Sequence, residues 1–186
     1  MALRNAILAT LLEGESSGYD LAKVFDSSVA NFWTATPQQL YRELDRMEGQ
    51  GLVEARVVEQ ERRPNKRLFS ITEAGLAALT EFTAREPKPT AVRDELLVQV
   101  QAVEHGDAAA VRDSVRQKQA LAERKLKRYE RLRDRLLAGR AEADYLATAD
   151  RVGPYLTLAR GIAFEQENVR WCEYVLGVLA RRNATA

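Results

Sequence analysis

The chain has 186 residues, of which 46% are hydrophobic and 30% are charged, so it holds enough apolar material for a folded core. At roughly 100 to 200 residues per domain, this length allows one domain or two small ones. The chain has one cysteine and one histidine. A disulfide needs two cysteines and a structural zinc site needs several Cys or His ligands, so a disulfide scaffold and a zinc fold are both excluded. We therefore expect neither a metal nor a cofactor.

Charge and hydropathy limit the partners. No run of residues reaches the roughly 18 consecutive apolar residues of a membrane span, and acidic residues stand where a signal peptide would be cleaved, so we expect a cytoplasmic protein. A net charge of +1 is too small for nonspecific coating of nucleic acid. Any contact with nucleic acid should be local, and four positive charges lie together in RRPNKR at 62–67.

The polar stretch REPKPT marks a boundary in the chain. Its prolines, Pro87 and Pro89, both oppose a helix interior and favour extended backbone. We predict a first domain over 1–86, a linker over 87–92 and a second domain over 93–186. The expected fold is mainly α-helical with a small β-hairpin.

Three helical patterns open the first domain. The first ends at Gly14, and the second follows Ser17 and is expected to run to about Phe32. The third is the best marked, because Thr36 can cap it and Pro37 suits its first position. Its buried side carries Leu40, Leu44 and Met47, and its exposed side carries Gln38, Gln39, Arg42, Glu43 and Arg46.

Beyond the third helix the apolar spacing changes to two, which predicts strands over 53–58 and 68–71. Pro64 and Asn65 lie between them, so the strands should form a hairpin with a basic tip. Thr72 can cap a fourth helix. This order predicts a winged helix-turn-helix, in which the third helix enters the DNA major groove and the hairpin stands beside it.

DNA-binding residues are expected on the third helix and on the hairpin. Glutamine amides can pair with adenine, and arginines can reach guanine or phosphates. The hairpin cations have no acid near them in sequence except Glu59 and Glu61, so an anion should relieve their repulsion. The alternative for the helix is that its charges are ordinary solvated surface groups. The alternative for the hairpin is that its cations protect an exposed sheet edge from pairing with another chain. The predicted set is Thr36, Gln38, Gln39, Arg42, Arg46, Arg62, Arg63, Asn65, Lys66 and Arg67.

The second domain should consist of helices. A short one closes at Gly106, and Asp107 can cap a run to Gly139 that is about 48 Å long at 1.5 Å per residue. Gly153 and Pro154 begin the last helix. The region from residue 112 to residue 140 has 11 Lys and Arg against four Asp and Glu, which is typical of a solvated helix surface. Further contact with the DNA backbone is the alternative.

Apolar residues at helical spacing along the two long helices predict a homodimer. A pair of helices within one chain is the alternative, but it would leave Trp171, Tyr174 and Val175 uncovered. A dimer also supplies the twofold symmetry that helix-turn-helix proteins use on paired half-sites. The predicted interface, broken only at Glu165, comprises Leu126, Tyr129, Leu158, Ile162, Val169, Cys172, Leu176 and Leu179.

Catalysis is not expected. One histidine and one cysteine on separate elements do not form an acid–base or nucleophilic set, and no glycine-rich phosphate loop is present in the sequence. Aromatic residues could line a pocket for a small ligand between the two domains, although large rings are more often core residues. The predicted ligand set is Phe32, Trp33, Tyr155 and Trp171.

The chain resembles PadR-family transcriptional regulators, in the longer subfamily with a helical C-terminal dimerisation region. The resemblance is carried by GYDL at 18–21, NFW at 31–33, LYRELDRMEGQGLV at 40–53, KRLFSITEAG at 66–75 and TLARGIAFEQENVRW at 157–171. It implies that Tyr41 and the start of the third helix contact DNA and that the C-terminal helices form a homodimer. Where the family often has a tyrosine pair on the returning strand, this chain has Leu68 and Phe69.

Members of that family generally repress transcription, and in some an aromatic acid or another small ligand relieves repression. The resemblance therefore implies a homodimeric, sequence-specific DNA-binding regulator, a repressor relieved by a small ligand. The alternative is a winged-helix module that binds proteins and has no specific DNA site.

Overall fold

The structure is a computed structural model that describes residues 2–25, 33, 35–59, 65–87, 89 and 93–184. Contacts between residues divide the chain into two units, Met1–Lys88 and Pro89–Ala186. The division falls inside the proline-containing stretch REPKPT. Among the helices that the structure describes, none combines the length and the apolar character that a membrane span requires.

The described part of the first unit contains four helices. Helix α2 begins where the sequence predicts, because the Ser17 hydroxyl accepts a hydrogen bond from the backbone N–H of Asp20 at 3.1 Å. Its predicted continuation to Phe32 lies outside the described residues. The four helices are α1 (Ala2–Leu11), α2 (Gly18–Val24), α3 (Pro37–Gly49) and α4 (Glu73–Thr83).

The cap predicted at Thr36 is confirmed, and it takes the form of a capping box. The Thr36 hydroxyl accepts from the backbone N–H of Gln39 at 3.2 Å, and the Gln39 side chain accepts from the Thr36 N–H at 2.9 Å. Pro37 occupies the first helical position, where no backbone donor is needed. This cap fixes the start of the helix and the direction of its exposed side chains.

A three-stranded antiparallel sheet accompanies these helices. The predicted hairpin is confirmed, with Ala55 opposite Phe69, and on its other side Phe69 pairs with Ser16. The third strand was not predicted, because two residues are too few to show a period of two. The strand order is β1–β3–β2, and the strands are β1 (Ser16–Ser17), β2 (Val53–Val58) and β3 (Lys66–Ile71).

One hydrophobic core holds the first unit together. Helices α1, α2 and α3 contact one another, and α1 also contacts α4 and β3. Burying one large aliphatic side chain contributes about 1.5–3 kcal/mol, so the core supplies most of the stability of this unit. Its buried members are Ile7, Leu8, Leu11, Leu21, Phe25, Leu40, Leu44, Met47, Val53, Phe69 and Leu79.

The second unit is helical in its described part. Asp107 caps the long helix α6 as predicted, because its carboxylate accepts from the N–H groups of Ala109 and Ala110 at 2.9 and 3.0 Å. Helix α7 was not predicted, since it is too short to carry a strong period. The helices are α5 (Glu95–Gln101), a 3₁₀ turn (Val103–His105), α6 (Ala108–Leu137), α7 (Glu142–Thr148) and α8 (Gly153–Ala184).

Helices α6 and α8 pair within the chain, and this pairing buries five residues of the predicted dimer interface: Tyr129, Leu158, Ile162, Cys172 and Leu179. Tyr129, Leu158 and Ile162 form one buried cluster, with Leu126 packed against it. The other cluster contains Val111, Val115, Cys172, Val175 and Leu179, with Trp171 and Leu176 packed against it. Val169 is half-buried. The buried seam is therefore used by the intrachain helix pair, and Val175, which was expected to stay uncovered, is 8% exposed.

A buried carboxylate lies on α8 between the residues of the two clusters. Glu165 is 4% exposed, its carboxylate lies 3.3 Å from the Lys125 ammonium of α6, and it accepts from the Asn168 amide at 2.9 Å. A buried charge is tolerated only when it is paired and hydrogen-bonded. The apparent break in the apolar seam is therefore an ion pair that joins the two helices.

Candidate nucleic-acid interface

The exposed face of α3 presents the polar side chains that the sequence predicted for DNA contact. Gln38, Gln39 and Arg42 are all exposed, and the helix start that carries the two glutamines is fixed by the capping box. Arg46 lies 3.8 Å from Glu43, a weak pair on the surface. Among the described residues Arg42 has no ion-pair partner, so its charge is the least compensated on this face.

Tyr41 lies on the same helix and is held against α2. A Cβ atom added at Gly18 would lie 2.3 Å from Cε1 of the Tyr41 ring, so only glycine admits the ring at this position. Tyr41 remains 45% exposed. A close approach between helices therefore sets the orientation of a side chain that the family resemblance assigns to DNA.

Helix α2 adds two residues that the sequence interpretation did not select. Tyr19 is 61% exposed, and the Lys23 ammonium lies 4.4 Å from the centre of its ring, which is a cation–π contact. Tyr19 belongs to the GYDL motif, and Lys23 follows two residues after it. The sequence could have indicated Tyr19 as an aromatic residue in the first turn after the capping Ser17. Helix α2 thus carries a hydroxyl in its first turn and a cation in its last turn, both on its surface.

The cations at the base of the hairpin are paired, which corrects the prediction that they lack nearby acids. The Lys66 ammonium lies 2.8 Å from the Asp20 carboxylate of α2. Arg67 contacts Asp45 at 3.1 Å and also pairs with Glu48, both on α3. Acids distant in sequence therefore relieve the repulsion that was expected to require an anion.

A further ion pair joins the neighbouring strand β2 to Glu15, just before strand β1. The Arg56 guanidinium donates to Glu15 through Nε at 2.7 Å, and this hydrogen bond lowers the pKa of the Glu15 carboxyl. The hydrogen bond from Lys66, followed by that from Ser17, lowers the pKa of Asp20 in the same way. These pairs link the hairpin to the surrounding elements, which positions it beside α3.

Four predicted DNA-binding residues remain, three in the hairpin and one at the start of α3. Arg62 and Arg63 lie outside the described residues. Asn65 is exposed and directly precedes β3. Thr36, at the start of α3, is exposed, and its hydroxyl accepts the hydrogen bond of the helix cap. The geometry therefore supports the start of α3 as a surface for base edges more strongly than it supports the base of the hairpin as a phosphate contact.

Two of the predicted ligand residues lie far apart on one helix. Trp33 packs against the core of the first unit, and Phe32 lies outside the described residues. In the second unit, Tyr155 and Trp171 are 16 positions apart on α8, which separates them by about 24 Å along the helix. Trp171 packs beside the buried cluster that contains Cys172. Within one chain, the rings of Tyr155 and Trp171 are therefore too far apart to contact the same small ligand, and the rest of the ligand set stays a prediction.

Tyr155 belongs to a separate group of residues near the end of the helix pair. It is buried, and its ring centre lies 5.3 Å from that of Tyr145 on α7. Burial, followed by the hydrogen bond with Glu142, raises the pKa of the Tyr155 hydroxyl. These contacts attach the short helix α7 to α8, so packing accounts for Tyr155.

The Cys172 thiol is buried. Burial raises the pKa of Cys172, which disfavours the reactive thiolate. Across the residues that the structure describes, no three His, Cys, Asp or Glu side chains are grouped so that they could hold a metal ion.

Three packed helices followed by a hairpin and a fourth helix define the first unit as a winged helix-turn-helix domain. Two family models match the chain. The one described as the transcriptional regulator PadR-like family matches residues 7–81, and the one described as virulence activator alpha C-term matches residues 92–180.

Relatives similar over the full length identify the family. The probable transcriptional regulator Rv1176c of Mycobacterium tuberculosis is 35% identical, covering 98% of this chain and 100% of the relative. The negative transcriptional regulator PadR of Bacillus subtilis is 29% identical over 95% of this chain and 97% of its own. The chain belongs to the PadR-like family of transcriptional regulators, which are not enzymes.

Solved structures support the same assignment. Bacillus subtilis PadR in complex with operator DNA superposes with a TM-score of 0.78 at 26% identity, covering 96% of this chain and 97% of that one. The same protein in complex with p-coumaric acid gives a TM-score of 0.71 at 25% identity, with 96% and 95% coverage. The virulence activator AphA of Vibrio cholerae gives 0.69 at 29% identity, with 99% coverage of both chains.

Proposed function

We propose that this protein binds operator DNA through the exposed face of α3. The observation that carries the proposal is the capped start of this helix, which presents Gln38 to solvent, with Arg42, which has no ion-pair partner among the described residues, one turn further on. The side-chain oxygen of Gln39 is used in the cap, where it accepts from the Thr36 N–H at 2.9 Å. Amide and guanidinium groups at the start of a recognition helix are suited to base edges in the major groove. The similar Bacillus subtilis PadR has been solved with operator DNA.

The test is binding of the purified protein to the DNA upstream of its own gene, measured by fluorescence anisotropy across a salt series. A scrambled duplex of the same length is the reference. We expect preference for the upstream DNA, and we expect Arg42→Gln to reduce that preference by about 1–3 kcal/mol if Arg42 reads a base. Arg116→Gln, a charge-matched control on α6 whose arginine is paired with Asp113, should retain it. Equal binding of both duplexes by the unmodified protein would support the protein-binding module instead.

We propose further that the active form is a homodimer. With the buried seam used within the chain, the outward face of α8 still carries the exposed side chains of Leu156, Phe164 and Tyr174. Exposed apolar side chains on one helix face indicate a contact with another protein, and a twofold copy would match paired half-sites. Sedimentation should show a dimer that Phe164→Glu with Tyr174→Glu dissociates, whereas a monomeric unmodified protein would refute this part.

The proposed direction of regulation is repression that a small aromatic acid relieves. The support is the description of Bacillus subtilis PadR as a negative regulator and its structure with p-coumaric acid. A ligand of this kind must bind the free protein more tightly than the DNA-bound form to lower operator affinity. Titrating hydroxycinnamic and hydroxybenzoic acids into the preformed complex should release DNA, and operator affinity that no acid changes would refute the proposal.

A further inference from the structure

Helix α6 carries a row of cations on its outward face. Arg124, Lys127, Arg131 and Arg135 follow one another at intervals of three, four and four residues, which places them on one face of an α-helix. All four are exposed. From first to last they extend over about 16 Å of helix at 1.5 Å per residue. We call these four residues the basic stripe.

The basic stripe lies opposite the face that packs on α8. The buried residues on that face include Val115, Ala122 and Tyr129, at seven-residue intervals, and α6 packs against α8 of the same chain. The side chains of the basic stripe therefore take no part in the apolar contacts that hold the helix pair together.

The charges of the basic stripe are not compensated within the described part of the chain. Other cations of this helix are paired there: Arg116 with Asp113, Lys118 with Asp94, Lys125 with Glu165 and Arg133 with Asp134. None of the four stripe residues has an ion-pair partner among the described residues. The concentration of unpaired charge on one face is therefore a feature of the folded helix rather than of composition alone.

Ordinary helix energetics does not account for the basic stripe. Cations are favourable at a helix C-terminus, but the effect is confined to the last turn. It covers Arg135, two residues before the end of α6 at Leu137, and does not reach Arg124, thirteen residues before it. Like charges four residues apart destabilise an isolated helix, so the spacing of Lys127, Arg131 and Arg135 carries a small cost without an anion.

We propose that the basic stripe binds the phosphate backbone of double-stranded DNA, in addition to the contacts of the winged helix-turn-helix domain. Phosphate contacts need only long cationic side chains and carry no sequence information. A protein partner would favour an aromatic or apolar centre, which the four stripe residues do not provide. A membrane-bound helix must offer its apolar face to lipid, and the apolar face of α6 is occupied by α8.

This inference rests on the proposed DNA-binding function, but a nonspecific duplex tests it separately. The variant Arg124→Gln with Arg131→Gln removes two stripe charges that lie two turns apart. The control, Arg116→Gln with Arg170→Gln, removes two exposed charges that are already paired with Asp113 and Glu167. Circular dichroism and thermal unfolding establish that both variants fold.

The readout is the dependence of DNA affinity on salt, for the upstream duplex and for the scrambled duplex, each extended by flanking DNA. Each lost phosphate contact lowers the magnitude of the slope of log K against log salt by about 0.9, so the stripe variant should lose about 1.8 per chain on both duplexes. Its preference between the duplexes should be unchanged. The control should keep the slope of the unmodified protein.

The possible outcomes separate the two proposals. A stripe variant with the slope of the unmodified protein on both duplexes overturns the inference while leaving the DNA-binding function intact. An equal loss of slope in the control also overturns it, because any two charges would then suffice. If the unmodified protein does not distinguish the duplexes but the stripe variant alone loses slope, the basic stripe is supported and the sequence-specific function fails.

Discussion

Replacing Gly75 with alanine should destabilise the first unit although it improves helix propensity. Gly75 is the third residue of α4 and is buried, and its N–H donates to the capping hydroxyl of Thr72 at 3.1 Å. A Cβ atom there would lie 2.2 Å from the carbonyl oxygen of Leu52 and 2.8 Å from Cγ1 of Ile71. The Leu52 oxygen is itself held by the backbone N–H of Thr72 at 3.2 Å, so it cannot move away without weakening that hydrogen bond.

Three contributions determine the expected change in the free energy of unfolding for Gly75→Ala. To reach ordinary contact at about 3.4 Å, the carbonyl oxygen and the new methyl group must separate by about 1.2 Å more. Overpacking of this kind costs up to about 3 kcal/mol, and loss of the hydrogen bond adds about 1 kcal/mol. Alanine recovers about 1 kcal/mol of helix propensity. The net expected loss is up to about 3 kcal/mol, which corresponds to at most roughly 6–12 °C in the unfolding midpoint for a chain of this length.

The assay is thermal unfolding followed by circular dichroism, with Gly49→Ala as the matched control. Gly49 ends α3, and a Cβ atom there would meet nothing within 4 Å, so this variant should unfold at or above the temperature of the unmodified protein. Gly75→Ala unfolding at the unmodified temperature, or the two variants losing the same stability, would refute the argument from close contact.

Three further predictions concern the site and the second unit. Gly18→Ala should displace the Tyr41 ring, so operator affinity measured by anisotropy falls more than thermal stability does; unchanged affinity would exclude a DNA role for the ring position. Arg67→Gln should lower stability by up to about 1 kcal/mol and leave the salt slope of DNA binding unchanged, because its guanidinium holds α3; a slope reduced by about 0.9 would instead identify a phosphate contact. The hydrogen bond from Lys118 lowers the pKa of Asp94 below its ordinary value of 3.8. The pair therefore stabilises the fold above pH 3.8, and this contribution is lost as the pH falls through the lowered pKa. In urea unfolding, Asp94→Asn should be less stable than the unmodified protein at pH 7 and equally stable in strong acid.

Local signals predicted the elements that position the candidate site. The cap formed by Thr36 and Gln39, the proline after it and the buried spacing of α3 are all short-range features, and the structure reproduces them. The change of period that follows predicted the hairpin for the same reason. Strand β1 and helix α7 escaped prediction, because two residues and one short helix carry too little periodicity.

Pairing across the chain depended on the tertiary structure. The acids that compensate Lys66 and Arg67 lie on α2 and α3, far from the hairpin in sequence, so charge counting along the chain missed them. The apolar stripes of α6 and α8 could serve a second copy or each other, and their periodicity is identical in the two cases. In the structure the two helices pack against each other, so we place the proposed dimer contact on the outward face of α8.

The sequence by itself determined the helix starts, the hairpin, the exposed face of α3 and the family resemblance, because capping, period and motif are encoded within a few neighbouring residues. Only the tertiary structure decided which charges remain unpaired and which apolar faces are used, since these depend on residues that folding brings together. It also left the cations of the basic stripe without partners in the described chain, although composition alone had favoured an ordinary solvated surface.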